Sequence, residues 1–334
     1  MKILILRLSS MGDVLLATPV LDVLKSEFPR SEIDWVINKK FEETLSTNPV
    51  IRRLLVFKDK KGLKNIRREI KRTNYDMIFD LHKNSSTRYL SHGLKNVFTY
   101  KKRVFDRFML VHFKKAYKEI MPVTQMYFKA LERAGIPTPG NYRPRFGLDK
   151  DIEVKTVENY GLHNKNYIVM IPGASYSTKM WPEDYFRQLA ERIIGEKSKN
   201  RNVIIIGKGA AESKISKYIA AGSEGKITDL TDRLTLQETA SVIKFADAVV
   251  TNDNGPMHMA ECFGKKIVAI FGSTTEEFGF FPYSTNYRVV ENRALKCRPC
   301  THFGRKKCPK KHFGCMNGIS VNDVHEALED ILES

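Results

Sequence analysis

An alternation of short apolar runs with stretches of helical periodicity, which occurs twice along the chain, constrains the fold most strongly. KILILRL at 2–8 has the pattern of a buried strand, TPVLDVLKSEF at 18–28 carries apolar residues at helical spacing, and EIDWVIN at 32–38 is a second strand-like run. Further runs of both kinds follow, up to residue 100. Because parallel strands must be joined by long crossovers, usually helices, this alternation predicts a parallel sheet with helices on its faces.

The alternation breaks once and then restarts. The stretch AGIPTPGNYRPRFGLDKDIE at 134–153 is rich in proline and glycine, which predicts a linker. After it, NYIVMIPG, NVIIIGKG, KITDLTD, DAVVTND and KIVAIFG alternate with helical segments. For a chain of 334 residues, this predicts an α/β architecture of two Rossmann-like parallel-sheet domains, residues 1–150 and 151–334, that face each other across a cleft. The final helix either stays with the second domain or packs back on the first.

The charge is concentrated in the first domain. The chain has a net charge of +18, and residues 52–118 contain 20 Lys or Arg against five Asp or Glu. This segment either meets an anionic partner, such as nucleic acid, a phospholipid surface or a phosphorylated substrate, or is a solvated basic face. The sequence contains no apolar stretch near the roughly 20 residues of a membrane span, and Arg7 and Asp13 interrupt the N-terminal apolar run. A cytoplasmic protein is therefore expected.

Ligands of such sheets bind beyond the carboxyl ends of the strands, so the loops after the strands are candidate sites. In SSMGDVLLATP, Asp13 stands at the start of a helix, either as a cap or as a functional carboxylate. In PGASYSTKMWPEDYF, the hydroxyls of Ser175 and Ser177, the Lys179 ammonium and a helix N-terminus are groups that bind phosphate, although a polar loop with a solvated lysine has the same composition. In IIIGKGAAES, Gly207 begins a dinucleotide-like pattern that lacks its third glycine.

The fourth loop, TNDNGPMHMAECFG at 251–264, lies between two apolar runs where a strand gives way to a helix. Gly255 permits close approach of the backbone to a ligand, and Pro256 suits the first helical turn. The helix N-terminus and His258 would face an anion, although a histidine at such a position is as often structural. The candidate ligand-binding residues of this loop are Asp253, Asn254, Gly255, Pro256, Met257 and His258.

Three of these motifs together carry a family resemblance. MKILILRLSSMGDVLLATPVL, the G-x-S-x-x-x-K-x-W-P segment and NDNGPMHMAECFGKKIVAIFG resemble, in that order and across essentially the whole chain, the family 9 glycosyltransferases, the bacterial heptosyltransferases of lipopolysaccharide core assembly. NDNGPMH and the later C-x-x-C segment look most like the heptosyltransferase II branch, and the type I and type III enzymes remain alternatives.

The resemblance implies a GT-B fold and an inverting transfer that requires no cofactor or metal. The donor would be ADP-L-glycero-D-manno-heptose, and the acceptor Kdo-lipid A or heptosyl-Kdo-lipid A at the cytoplasmic face of the inner membrane, where the enzyme is a peripheral protein. Asp13 matches the proposed catalytic base and Lys179 the lysine that contacts the donor diphosphate. Ser175 and Ser177 fall near the phosphates, and the loop from Asp253 to His258 matches the donor-binding loop.

The chain departs from the family pattern at the helix that meets the nucleotide ribose. The family commonly has Leu-Glu there, whereas this chain has Leu236-Gln237-Glu238, so either Gln237 or Glu238 is expected to make that contact. For the acceptor, the candidates are His82, Asn84 and Arg88, which follow the strand-like run MIFDL.

A cysteine cluster follows the donor loops. Cys297, Cys300, Cys308 and Cys315 have the spacing C-x2-C-x7-C-x6-C, with His302 and His312 between them. This pattern is typical either of a structural zinc site or of reduced thiols that stabilise a loop. Neither interpretation gives the cluster a catalytic role.

Two other classes of protein share some of these features. A nucleic-acid-binding protein would explain the charge, but no aromatic and basic recognition motif accompanies it, and no nucleic-acid partner is expected. An NAD-dependent dehydrogenase would share the sheets, but it requires the complete glycine fingerprint.

Overall fold

The computed structural model describes residues 1–164, 166–196, 199–223 and 225–334. The chain forms two compact units, one of residues 1–102 and 121–148 and the other of residues 103–120 and 149–334. The boundary after Leu148 falls within the predicted linker. The segment 103–120 belongs to the second unit although it lies early in the chain.

The strands are β1 Lys2–Leu6, β2 Glu32–Asn38, β3 Ile51–Phe57, β4 Met77–Asp80, β5 Val97–Thr99, β6 Tyr167–Ile171, β7 Asn202–Ile205, β8 Ile227–Asp229, β9 Ala248–Asn252, β10 Lys266–Phe271 and β11 Tyr287–Glu291. The helices are α1 Met11–Ala17, α2 Pro19–Glu27, α3 Lys60–Thr73, α4 Ser85–Ser91, α5 Val104–Phe113, α6 Val123–Glu132, α7 Lys150–Tyr160, α8 Glu183–Gly195, α9 Ala210–Ala220, α10 Leu236–Phe245, α11 Gly255–Cys262, α12 Gly314–Asn317 and α13 Val321–Glu333.

The first unit contains a parallel sheet. In the described part of the chain this sheet has five strands in the order β3-β2-β1-β4-β5. The central strand β1 is buried from Ile3 to Leu6, as expected for an apolar run with helices on both faces. The strand order reverses between β1 and β4, so the loops after these two neighbouring strands open side by side at the carboxyl edge of the sheet.

The second unit repeats this plan. Its described residues form six parallel strands in the order β11-β10-β9-β6-β7-β8, which is the strand order of a dinucleotide-binding sheet. Here the order reverses between β6 and β9. The loops after these strands are the Ser175–Lys179 region and the stretch that begins at Asp253, so the topology brings together two segments about 75 residues apart in sequence.

The final helix completes the second core. Val324, Leu328 and Ile331 of α13 are fully buried among residues of the second sheet and α8. Ser320 is the N-cap of this helix: its side chain accepts a hydrogen bond from the Asp323 N–H and thereby caps the first turn. The apolar face of α13 therefore belongs to the core of its own unit.

Candidate active site

Asp13 is held by three side chains of the first unit. It is the third residue of α1, and the Ser10 hydroxyl just before the helix donates to its Oδ2 at 2.7 Å. Arg7, from the loop after β1, places Nη2 2.7 Å from Asp13 Oδ1. The Tyr127 hydroxyl of α6 donates to the same oxygen at 3.2 Å. The Asp13 side chain remains 21% exposed, whereas that of Arg7 is 7% exposed. The carboxylate is therefore held by the buried Arg7 side chain and is still accessible to solvent.

The charge of Arg7 keeps Asp13 ionised. Burial alone would raise the pKa of Asp13, but the adjacent Arg7 guanidinium and the Ser10 hydrogen bonds outweigh burial, so the pKa lies below its ordinary value. Arg7 is anchored through Nη1 to the Leu81 carbonyl at 2.8 Å. A fixed, ionised and partly exposed carboxylate can accept a proton from a hydroxyl that is brought against it.

His82 lies beside this pair, because its loop follows β4 at the switch point. The Leu8 N–H points at His82 Nδ1 from 3.4 Å. Burial and the positive charge of Arg7 lower the pKa of His82 to about 4, so the imidazole is neutral near pH 7. The other two acceptor candidates differ in setting: Asn84 caps α4 by accepting from the Thr87 N–H at 2.9 Å, and Arg88 is exposed on that helix. Acceptor contacts at all three residues remain predictions.

In the second unit, Lys179 and Asp253 form a mostly buried ion pair. Lys179 Nζ lies 2.6 Å from Asp253 Oδ2, and the two side chains are 15% and 9% exposed. The Thr274 hydroxyl donates to the same Asp253 oxygen at 2.7 Å. The ammonium group has two further protons beyond the one directed at Asp253, which it can direct at an anion.

Two asparagines join the loops that carry this pair. The Asn252 amide donates to the Pro172 carbonyl at 2.7 Å, and the Asn254 amide donates to the Gly173 carbonyl at 2.8 Å. Asn254 Oδ1 also accepts from the Met257 N–H at 3.0 Å, which makes Asn254 the N-cap of α11. The loop after β6 and the start of α11 are thereby connected directly, with the positive end of the helix dipole beside Lys179 and Asp253.

The remaining residues of the fourth loop are partly inside the fold. Gly255 and Pro256 are partly exposed in the first turn of α11, whereas Met257 is fully buried. His258 is 3% exposed, and its Nδ1 lies 2.9 Å from Glu261 Oε2. Glu261 is in turn held through its other oxygen by the Ser284 N–H at 3.0 Å and hydroxyl at 2.8 Å. The orientation of the His258 ring is therefore fixed by the protein.

Glu212 is a candidate that the sequence analysis missed. Its carboxylate covers both Gly173 and Gly207: a methyl group on Gly173 would lie 2.1 Å from its carboxyl carbon, and one on Gly207 would lie 2.7 Å from Oε2. The Lys208 N–H donates to Oε2 at 3.0 Å, and burial raises the pKa of Glu212. Glu212 occupies the position of the third glycine in the pattern that begins at Gly207. Its carboxylate thus places a hydrogen-bond acceptor at the edge where a dinucleotide-binding sheet binds its ligand.

Of the other residues predicted to contact the donor, two are exposed and two already accept hydrogen bonds from backbone N–H groups of the protein. Ser175 and Ser177 are exposed at the start of the Lys179 turn. Gln237 is 4% exposed and its Oε1 accepts from the Asp149 N–H at 3.0 Å. Glu238 completes a capping box at the start of α10, accepting from the Thr235 N–H at 2.8 Å. Both α10 side chains therefore have structural contacts, and a ribose contact at either remains a prediction.

The cysteine segment, residues 297–315, contacts the loop that carries Lys179 and the loop that carries Thr274, the partner of Asp253. The Thr178 N–H donates to the Arg305 carbonyl at 3.1 Å, and the Arg305 N–H donates back to the Thr178 hydroxyl at 2.7 Å, immediately before Lys179. The Arg298 side chain is 5% exposed and donates to Glu291 Oε2 at 2.6 Å, to the Asn292 carbonyl at 2.8 Å and to the Thr274 carbonyl at 3.0 Å. The segment therefore holds the backbone on both sides of the Lys179 and Asp253 pair.

The four cysteines themselves are free thiols, and burial raises the pKa of Cys300 and takes that of Cys315 to about 11. Cys297 Sγ lies 3.8 Å from His312 Nε2. Among the described residues, three potential metal-ligand atoms lie within 4.8 Å of one another at Glu196, His325 and Glu329, and not at the cysteine cluster. Zinc at the cysteines remains a prediction.

The Glu196, His325 and Glu329 group is occupied by protein cations. Lys199 Nζ lies 3.1 Å from Glu196 Oε2 and also pairs with Glu329, and Arg201 Nη1 lies 2.5 Å from Glu329 Oε1. These contacts tie α13 to the end of α8 and the start of β7, which indicates a structural ion-pair network.

Comparison with known proteins decides the family. A sequence profile described as glycosyltransferase family 9 (heptosyltransferase) matches residues 63–312, which is more than half of the chain. The chain belongs to glycosyltransferase family 9. It is 27% identical to the lipooligosaccharide heptosyltransferase 2 of Campylobacter jejuni subsp. jejuni serotype O:2 over 343 residues, a match that covers 100% of this chain and 99% of that protein. It is 26% identical to the lipopolysaccharide heptosyltransferase 1 of Pseudomonas aeruginosa, over 90% of this chain and 86% of that protein.

The fold agrees with the family. The E. coli ADP-heptose lps heptosyltransferase II superimposes with a TM-score of 0.73 at 21% identity, covering 100% of this chain and 99% of that one. The GT-B fold with its two Rossmann-like parallel sheets, predicted from the sequence, is thus confirmed, as is the assignment of this family 9 chain as a glycosyltransferase.

Proposed function

We propose that this family 9 protein is an inverting heptosyltransferase that moves a heptose from ADP-L-glycero-D-manno-heptose to the inner core of lipopolysaccharide. The observation that carries the proposal is the Lys179 and Asp253 pair, which stands beside the N-terminus of α11 at the switch point of a dinucleotide-type sheet. Such a site suits a nucleoside diphosphate leaving group. Relatives named heptosyltransferase 2 support that branch, and relatives named heptosyltransferase 1 and 3, which match at similar identity, make type I or III the alternative.

On the acceptor side, Asp13 is proposed as the base. An inverting transfer needs a group that removes the proton from the acceptor hydroxyl as its oxygen attacks the anomeric carbon. The contacts of Arg7, Ser10 and Tyr127 fix the Asp13 carboxylate, and the lowered pKa keeps it ionised at neutral pH. An acid-range pKa makes Asp13 a weak base, so its contribution comes from position more than from proton affinity.

On the donor side, negative charge develops on the diphosphate as the bond to the sugar breaks. Lys179 and the α11 N-terminus are proposed to stabilise that charge, because donors fixed in advance avoid reorganisation during the reaction. Ser175 and Ser177 are proposed to bind the phosphates. Glu212 is proposed to accept hydrogen bonds from the ribose hydroxyls, because its carboxylate lies over Gly173 and Gly207.

The acceptor is proposed to be Kdo-lipid A or heptosyl-Kdo-lipid A at the cytoplasmic face of the inner membrane. Its phosphates and acidic sugars fit the basic segment 52–118, with 20 Lys or Arg against five Asp or Glu. Peripheral attachment to that membrane is part of the proposal. None of the described helices is long and apolar enough to cross a bilayer.

Product analysis tests the proposal. Purified protein is incubated with ADP-heptose and deacylated acceptors of defined length, carrying Kdo alone, one heptose or two heptoses, and products are identified by mass spectrometry. Transfer to the one-heptose acceptor alone is the result expected of the type II enzyme. Transfer only to another acceptor would move the assignment to type I or III, and no transfer to any of the three would contradict the proposal.

A further inference from the structure

The α5 helix exposes a cluster of large apolar side chains, three of them aromatic. Phe105 is 72% exposed, Phe108 52% and Phe113 66%, and Val104 beside them is 62% exposed. Positions 105 and 108 are one helical turn apart, and the rings of Phe108 and Phe113 lie 6.0 Å apart between centroids. Soluble surfaces rarely cluster large apolar side chains in this way, so the face is typical of a docking surface.

The other side of α5 is held by the protein. Leu110 is 3% exposed. At the end of the helix, Lys114 Nζ donates to the Pro299 carbonyl at 2.6 Å and to the Cys297 carbonyl at 3.2 Å. The helix is thus fixed to the cysteine segment of its own unit with its aromatic side facing outward, so presenting this face requires no refolding.

Cations flank this aromatic face. The stretch 101–118 contains seven Lys or Arg and one Asp. Within the described residues Lys115 and Lys118, which follow α5, have no ion-pair partner. Aromatic residues on one side of a helix with lysines at its border match the interface of an anionic bilayer, where the rings enter the headgroup region and the lysines meet lipid phosphates.

We infer that the α5 face, defined by Val104, Phe105, Phe108 and Phe113 with Lys115 and Lys118 at its border, docks the protein on an anionic phospholipid bilayer. This inference rests on the proposed function for its location, since a lipid-linked acceptor lies in a membrane, and it adds the surface that makes the contact. The charge excess selects an anionic bilayer over a second copy of the chain, because two copies of the same basic surface repel each other.

The test is co-sedimentation with vesicles that contain no acceptor. Wild-type protein is expected to bind vesicles of phosphatidylethanolamine and phosphatidylglycerol, to bind phosphatidylcholine vesicles weakly, and to lose binding as salt rises. The variant Phe105→Ser/Phe108→Ser/Phe113→Ser is expected to bind at least about ten-fold more weakly. Lys115→Glu/Lys118→Glu should weaken binding only to the anionic vesicles. Val154→Ser, at a residue of α7 that is 55% exposed, is the matched control and should bind like wild type.

Three outcomes would overturn the inference. In the first, the triple variant binds anionic vesicles as tightly as wild type. In the second, the wild type does not bind acceptor-free anionic vesicles but binds the same vesicles when acceptor is included as an added arm, which would make the face an acceptor site. In the third, the wild type binds no vesicles and is a dimer, and the triple substitution dissociates that dimer. Activity on a deacylated, water-soluble acceptor is measured in parallel and should be unchanged in the triple variant. If the wild type shows no transfer to the deacylated acceptor, that result contradicts the proposed function. The vesicle measurement still decides whether the α5 face binds a bilayer.

Discussion

Replacing Lys179 by methionine separates its structural role from its proposed role in binding phosphate. The substitution keeps most of the side-chain volume but leaves the Asp253 carboxylate, 9% exposed, without its cation. Breaking a buried pair on one side costs about 3–5 kcal/mol, and the residual exposure of both groups reduces this to about 2–4 kcal/mol of the free energy of unfolding. Lys179→Met should therefore be clearly less stable than wild type.

The double variant Lys179→Met/Asp253→Asn removes both charges. Because no uncompensated carboxylate remains, its free energy of unfolding should return to within about 1 kcal/mol of wild type. ADP affinity should not return: losing a hydrogen bond from a charged donor costs about 1.5–3 kcal/mol, so both variants should bind ADP roughly 10- to 150-fold more weakly.

Urea denaturation gives the stabilities, and isothermal titration calorimetry gives the ADP affinities. Lys214→Met, at an exposed lysine of α9, is the matched control and should resemble wild type in both measurements. Recovery of ADP affinity in the double variant would refute phosphate binding by Lys179. Unchanged stability in Lys179→Met would refute the buried pair itself.

Three further predictions concern Asp13, its partner Arg7 and the basic segment 52–118. Asp13→Ala should lower turnover about 10²- to 10⁴-fold with nearly unchanged donor affinity, and an equal loss of donor binding would instead make Asp13 a nucleotide or structural residue. Because Arg7 lowers the pKa of Asp13, the acid limb of kcat/KM should lie below the usual carboxylate range in wild type and move to higher pH in Arg7→Met; an unmoved limb would exclude Asp13 as the titrating group. Neutralising Lys101, Lys102 and Arg103 should raise the acceptor KM and flatten its salt dependence while the donor KM stays constant, whereas an unchanged acceptor KM would make these positions a solvated face.

The sequence predicts what depends on local pattern. The alternation of apolar runs and helices was sufficient for two parallel sheets, and the rule that ligands bind beyond the carboxyl ends of strands selected the loops of Asp13, Lys179 and Asp253. In the structure the loops of Lys179 and Asp253 meet, because β6 and β9 are neighbours.

Specific side-chain contacts, both between nearby and between distant residues, were beyond the sequence. Nothing in the local pattern shows that Arg7 pairs with Asp13, or that Arg305 holds the turn before Lys179 across 127 residues of chain. The local pattern at Glu212 shows only the absence of a third glycine, since the position of its carboxylate over Gly173 depends on how α9 packs against the loop after β6. Burial and electrostatics of this kind arise only from tertiary packing.

The most direct test of the account is the anomeric configuration of the transferred sugar, measured by NMR on product made from ADP-heptose and a deacylated acceptor in the presence of EDTA. Direct attack assisted by Asp13, with the leaving group stabilised by Lys179 and the α11 N-terminus, predicts a linkage of configuration opposite to that of the donor, formed as fast as with added magnesium. Retained configuration, or product that forms only when a metal ion is restored, would contradict it.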